Sequence, residues 1–215
     1  MTARESENVG PGTGTPRERL LAAALRLLED EGPEALQARR LATEIGASTM
    51  AVYTHFGGMT QLIEAIAYEG FVRLSAREAA VRETADPIAD LLRLGIAYHE
   101  HAMANPRLYR LMFGVTPVNG IGLPNLDVRT LMVSPAAGAG REAFALLVRH
   151  VTRVIEAGSG TGEDPVSVAS QFWSSVHGYV LLEIAGFFGA PQRGAREVFL
   201  PLTCKLIAGL GHSPQ

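Results

Sequence analysis

Leucine recurs at positions 21, 25 and 28, the i, i+4, i+7 spacing of a helix that buries one stripe. Thr15-Pro16-Arg17-Glu18 just before it has the form of a capping box with proline at the first helical position, and Gly32-Pro33 stops the segment. A short helix is then predicted over 38–45, closed by Gly46, and a third from Ser48 as N-cap to about His55. After Gly57-Gly58 a long helix is predicted over roughly 60–82, with Ile63, Ile66, Gly70 and Leu74 on one face. Asp86-Pro87, Asn105-Pro106 and Asp164-Pro165 repeat one starting device, a capping side chain followed by proline. Between Gly114 and Pro135 lies a Gly- and Pro-punctuated segment longer than an ordinary turn. Further helices are predicted near 136–157, 165–188 and 195–209. No run alternates with the period of a strand. The expectation is an all-α chain of about nine helices, three short ones and then six mostly longer ones.

The stretch from Arg39 to Phe56 carries the most information. Ala42 is small where two helices must cross closely, and Gly46 can take the positive φ that a tight turn demands. Two short helices joined by such a turn form a helix-turn-helix, whose second helix enters the major groove. With Val52 and Phe56 facing inward, Thr49, Met50, Tyr53 and Thr54 must face outward. Hydroxyls of Thr and Tyr suit phosphates, and Thr or Met methyls suit the thymine methyl.

Composition changes this picture little. Apolar residues make up 47% of the 215, ample for a core, and mean hydropathy is +0.13. No apolar run approaches the roughly 20 residues that cross a bilayer. Residues 1–14 lack the layout of a signal peptide and read as a disordered arm, so a cytoplasmic protein is expected. Cys204 is the only cysteine and, in an apolar stretch, reads as a packing residue. Net charge is −3, and between 15 and 60 Arg17, Arg19, Arg26, Arg39 and Arg40 are balanced by acids. A DNA-binding role must therefore rest on geometry. Lys205 is the only lysine among the 19 Lys and Arg, which points to a GC-rich, bacterial coding genome.

Ile45-Gly-Ala-Ser-Thr-Met-Ala-Val-Tyr-Thr-His-Phe56, followed by Leu62, resembles the signature of the TetR family of transcriptional regulators, over about 45 N-terminal residues. The resemblance implies a sequence-specific, homodimeric regulator, by family default a repressor released from operator DNA by a small-molecule effector. It places Ser48, Thr49, Met50, Tyr53, Thr54 and His55 at the DNA, with Gln37 and Arg40 at a phosphate. Met59 stands where the family usually has a phosphate-binding lysine, and Gln37 where Ser or Thr is common. The implied domains are the arm at 1–14, a DNA-binding domain at 15–60 and an effector-binding, dimerising domain at 61–215. The Trp173…His177-Gly178 element is similar to one C-terminal domain type of that family.

Apolar residues nearly encircle the last two predicted helices, which must therefore be buried on several sides. Val180, Leu181, Ile184 and Phe188 on one, and Phe199, Leu202, Leu206 and Leu210 on the other, fit a two-fold four-helix bundle between subunits. A pocket for a small apolar or aromatic effector is expected among Phe71, Leu92, Ile96, His99, Met103, Met112, Phe113, Phe144, Leu147, Phe172, Trp173, Val176 and His177. His99, Trp173 and His177 are its polar handles.

Catalysis is not expected. His99 and His101 lie two apart on a helix and point in different directions, and no metalloprotease motif, paired cysteines or glycine-rich phosphate loop occurs. No cofactor or metal is implied. The remaining alternative is a helical protein-interaction module that has lost DNA binding.

Overall fold

In a computed structural model the chain is described over residues 14–118, 120–121, 138–159 and 162–209. Most of the arm at 1–14 and of the segment at 114–135, with Leu210, lies outside the described residues. Within them the chain divides at Ile66 into two compact units, the residues around Thr116 going with the first.

The first unit holds α1 (Pro16–Glu31), α2 (Ala38–Ile45) and α3 (Met50–Phe56), with a 3-10 turn at Pro33–Ala35. The capping box forms as expected. Thr15 Oγ1 accepts the Glu18 N–H at 3.3 Å and the Glu18 carboxylate accepts the Thr15 N–H at 2.8 Å. Leu20, Leu25, Leu28, Leu36, Leu41 and Val52 are buried, with Leu20 rather than Leu21 opening the stripe. Gly46 turns the chain at φ 66°, its N–H bonding back to the end of α2. Arg19 donates to the Ile45 carbonyl at 2.6 Å, and Arg17 lies 4.8 Å from the ring centre of the half-buried Phe56.

One start differs from expectation. Ser48 does not cap α3 through its side chain; its carbonyl accepts the Ala51 N–H at 3.0 Å. Thr49 occupies the cap position with helical backbone and no side-chain bond, because a capping hydroxyl reaches its N–H only from extended backbone.

The long helix α4 (Met59–Ala79) begins in the first unit and continues into the second. The second unit adds α5 (Pro87–Ala104), α6 (Pro106–Met112), α7 (Gly138–Val154), α8 (Pro165–Ile184), α9 (Pro191–Gly194) and α10 (Leu200–Gly209). A π-helical turn at Ile155–Ser159 follows α7, and another at Ala195–Phe199 joins α9 to α10 into one continuous last helix. Among the described residues this is the expected all-α order. α8 stops at Ile184 rather than 188, where Gly186 takes φ 87°, and the last helix starts at Pro191 rather than 195.

α5 is the centre of the second unit, packed against α6, α7, α8 and α10. Asp86 and Asp164 cap α5 and α8 as expected, accepting from Ala89 and Val166 N–H groups. Asn105 does not cap α6. Its amide donates to the His101 carbonyl at 3.3 Å and so closes α5. Asp90 is fully buried and gathers Thr84, Arg93 and Arg153, the last at 2.7 Å, pinning α7 and the 80–86 connection to α5.

Two expected interface residues and the cysteine are corrected. Val180 and Phe199, at 0% and 2% exposure, are spent on the chain's own core and offer a partner no surface. Cys204 is exposed, because Thr203 and Ile207 take the buried face of α10 and leave position 204 off it.

Gly194 is buried against the end of α8. A Cβ there would lie 2.9 Å from Phe188 Cβ, 2.9 Å from the Tyr179 hydroxyl and 3.1 Å from Glu183 Oε1. Gly178, inside α8, has nothing within 4 Å of such a Cβ. The same substitution should thus act with opposite signs. Gly194→Ala costs about 1–3 kcal/mol of overpacking, whereas Gly178→Ala gains about 0.5–1 kcal/mol of helix propensity. Thermal melts of both variants, one falling and one rising by a few degrees, check this.

Candidate functional site

On α3 a short helix shows two chemically distinct faces. Val52 is completely buried, while Met50 is 62% and Tyr53 52% exposed. Ser48, Thr49 and Thr54 are exposed beside them and His55 is half-buried at the helix end. The outward set expected from the sequence thus forms one solvent face. A large apolar side chain and a phenol standing in water contribute little to folding, so that face is free for a partner.

Gln37 and Arg40, the expected phosphate contacts, are exposed but already engaged. The Gln37 amide donates to the Glu34 carbonyl at 3.1 Å. Arg40 pairs with Glu31 at 2.8 Å and Glu44 at 3.6 Å, and Glu44 is shared with Arg26 at 3.1 Å. Exposed pairs of this kind are worth about 0–1 kcal/mol each, so a phosphate can displace the acids at small cost. Met59, the first residue of α4, is half-buried and brings no charge.

The second unit holds a half-open cavity of about 20 Å³, room for about one water. Of the residues expected at a pocket, Leu147, Phe172, Trp173 and Val176 line it, together with Glu78, Leu94, Gly95 and Tyr98, which the sequence reading did not single out. Glu78 could have been found. It extends the buried series Ile66, Gly70, Leu74 by one more step of four on α4.

Around the cavity the aromatic side chains interlock. Phe113 packs edge-on to Phe71 at 5.3 Å and to His177 at 4.5 Å, and Trp173 meets Phe144 at 6.0 Å and His177 at 5.5 Å. Met112 is buried with its sulfur on Gly70, where a Cβ would lie 2.6 Å away. Leu92, Ile96 and Met103 are half-buried and do not line the cavity. His99 does not line it either. Its Nε2 is taken by Glu183 at 2.5 Å, and its ring stacks on Phe199 with centroids 4.6 Å apart.

A hydrogen-bonded chain closes one side. Trp173 Nε1–H donates to the Tyr98 hydroxyl at 3.0 Å, the Tyr98 and Tyr109 hydroxyls are 2.6 Å apart, and Tyr109 lies 2.6 Å from His177 Nδ1. The indole can only donate, so the two hydroxyl protons are both used only if His177 Nδ1 accepts. That requires a neutral imidazole, and burial holds His177 down at about 4. Burial also raises both tyrosines above their ordinary value.

Two further buried groups are out of balance. The Glu78 carboxyl, 4% exposed, is pushed up to about 8 by burial, and its Oε2 has no hydrogen-bond partner. His101, 3% exposed, is lowered to about 4 by burial and by Arg77 and Arg73, and its Nε2 is also unpartnered. Among the described residues no three His, Cys, Asp or Glu side chains are grouped to hold a metal. No described helix is long and apolar enough to cross a membrane.

Residues 20–66 match the bacterial regulatory proteins of the tetR family, and residues 91–202 match the tetracyclin repressor-like C-terminal domain. An uncharacterised HTH-type transcriptional regulator of Mycobacterium tuberculosis is 27% identical over 197 residues, covering 90% of this chain and 81% of that protein. Among solved structures, a protein from Rhodococcus sp. RHA1 superposes with a TM-score of 0.73 at 28% identity, covering 95% of this chain and 100% of the other. The TetR family transcriptional regulator PfmR of Thermus thermophilus shares the fold, with a TM-score of 0.59 at 20% identity over 92% of this chain and 99% of its own. With both parts of the architecture matched, and the outward face of α3 in place, the chain belongs to the TetR family of DNA-binding transcriptional regulators.

Proposed function

We propose that this regulator is a repressor, acting in the bacterial cytoplasm, that binds a two-fold operator as a homodimer and is released by a small effector with an apolar or aromatic body. The observation that carries the DNA half is the exposed Met50, Tyr53, Thr49 and Thr54 face of α3, backed by a fully buried Val52. Residues 15–60 do the reading, with Ser48 and His55 at the rim of that face and Gln37 and Arg40 on phosphates. Residues 61–215 bind effector and pair the subunits.

The effector site is the cavity under Trp173 and the ring of Phe71, Phe113, Phe144 and His177 around it. The pairing surface uses Leu181, Ile184, Phe188, Leu202 and Leu206, all part-exposed on the second unit. Leu182 and Phe187, at 46% and 74% exposure, extend it. In the dimer the two reader helices stand about one DNA turn apart, ~34–36 Å. Effector favours a state with another spacing, through a shift of α4, and a coupling of about 1–3 kcal/mol weakens operator binding roughly 5- to 150-fold.

Fluorescence anisotropy against DNA from upstream of its own gene, with scrambled DNA of equal length as control, tests the reading. A preference of about 10³ or more is expected; no binding to either DNA at low salt would overturn it. Tyr53→Ala should weaken operator binding by about tenfold or more while leaving the melting temperature unchanged. A fall in melting temperature would instead make Tyr53 a packing residue. Arg40→Ala should weaken both DNAs alike and flatten the salt dependence by about one unit of slope. An unchanged slope would mean that Arg40 stays with Glu31 and Glu44.

A further inference from the structure

Glu78 is the one polar group at the cavity whose chemistry is not spent inside the protein. The Trp173 N–H is given to Tyr98, and the Tyr98 hydroxyl is shared with Tyr109. Glu78 Oε2 has no partner, and the side chain is 4% exposed. A carboxyl in such a place costs free energy unless something donates to it. Burial keeps it protonated near neutrality, at about 8, which lowers the cost but leaves the orphaned oxygen.

No arginine, lysine or histidine lines the cavity. Arg77, next along α4, is turned to Glu100 at 2.5 Å. The site therefore presents one carboxyl among aromatic and aliphatic walls, with no internal cation to meet it. A carboxylate ligand would find no cation to pair with, and only the single O–H of a protonated Glu78 to meet it. A wholly apolar ligand would leave Glu78 as stranded as before. An ammonium group would supply both the missing donors and the missing charge, against rings whose faces attract cations.

We propose that Glu78 anchors the effector and that the effector is an organic ammonium ion, its head group against Glu78 and its apolar body under Trp173. This rests on the second unit being the effector-binding part. The cavity, at about 20 Å³, has the size of a head group and not of a whole ligand. The body must therefore displace part of the wall, and Trp173 and Tyr98 differ in how freely they can yield. Trp173 is half-buried and Tyr98 is 7% exposed and held on both sides by hydrogen bonds, so the indole is the member that moves.

Trp173 is the chain's only tryptophan, so its emission reads the site directly. The full chain, without DNA, is titrated at pH 7 with three probes of one shape: 2-phenylethylammonium, 2-phenylethanol and phenylacetate. The ammonium should change Trp173 emission saturably, with a Kd at least about tenfold below that of the alcohol, and phenylacetate should give no change. In Glu78→Gln, checked for folding by its melt, the ammonium should bind no better than the alcohol. The proposal is overturned if the probes bind alike, if Glu78→Gln keeps the preference, or if no probe alters the emission. Operator binding is measured separately, so loss of the amine preference with operator binding intact removes the anchor and leaves the repressor. The reverse result removes the repressor and leaves the amine site.

Discussion

A phenolic hydroxyl with no access to water costs free energy unless the protein bonds it, and Tyr109, at 0% exposure, is bonded. Its partners come from two other helices, Tyr98 from α5 and His177 from α8, and Trp173 completes the chain. These bonds have a direction as well as a length. A helix that rotated out of place would strand a donor or an acceptor in a dry interior, at about 1–3 kcal/mol for each group. The aromatic ring around the cavity is held in position by this polar spine and not only by apolar contact. Asp90 plays a similar part at the other end of α5, where Arg93, Arg153 and Thr84 converge on one buried carboxylate. Burial by itself would raise Asp90, but the bonds from Thr84 and the two arginines hold it well below the usual carboxylate range.

The first unit works with a different balance. Two of its surface arginines meet acids of the same unit, Arg26 and Arg40 with Glu44, and Arg40 also with Glu31. Under the proposed DNA role, affinity for a polyanion would come from exchanging weak internal pairs for phosphate contacts, and its electrostatic part would be the difference between two ion-pair sets. On the same proposal, discrimination would fall to the exposed apolar and hydroxyl groups of α3.

The helix order, the capping box, the Gly46 turn and the outward face of α3 were legible in the sequence because each depends on residues within a few positions of one another. Asn105 shows the limit of local rules. Asn before proline fits an N-cap, yet the amide closes the preceding helix, because both helix ends lie within its reach. His99 and Glu183 are 84 positions apart, and no spacing rule pairs them. Val180 and Phe199 read as interface because an apolar side chain looks the same whether a partner or the chain's own core covers it. Glu78 was legible in register and illegible in meaning: the period-four series on α4 reached it, but a charge type at a buried position is discounted by any pattern that scores apolar residues.

Packed helices can pass signals by sliding one turn along their neighbours. The close seat of Gly194 on Tyr179, Glu183 and Phe188 bears on whether the last helix can do so. A one-turn translation would bring Ala190 or Val198 to that seat, and each carries the Cβ for which there is no room. The last helix is therefore locked in register against α8, like a key with a single notch. In any rearrangement of the second unit, this part can tilt as a block or stay still, but it cannot slide by a turn.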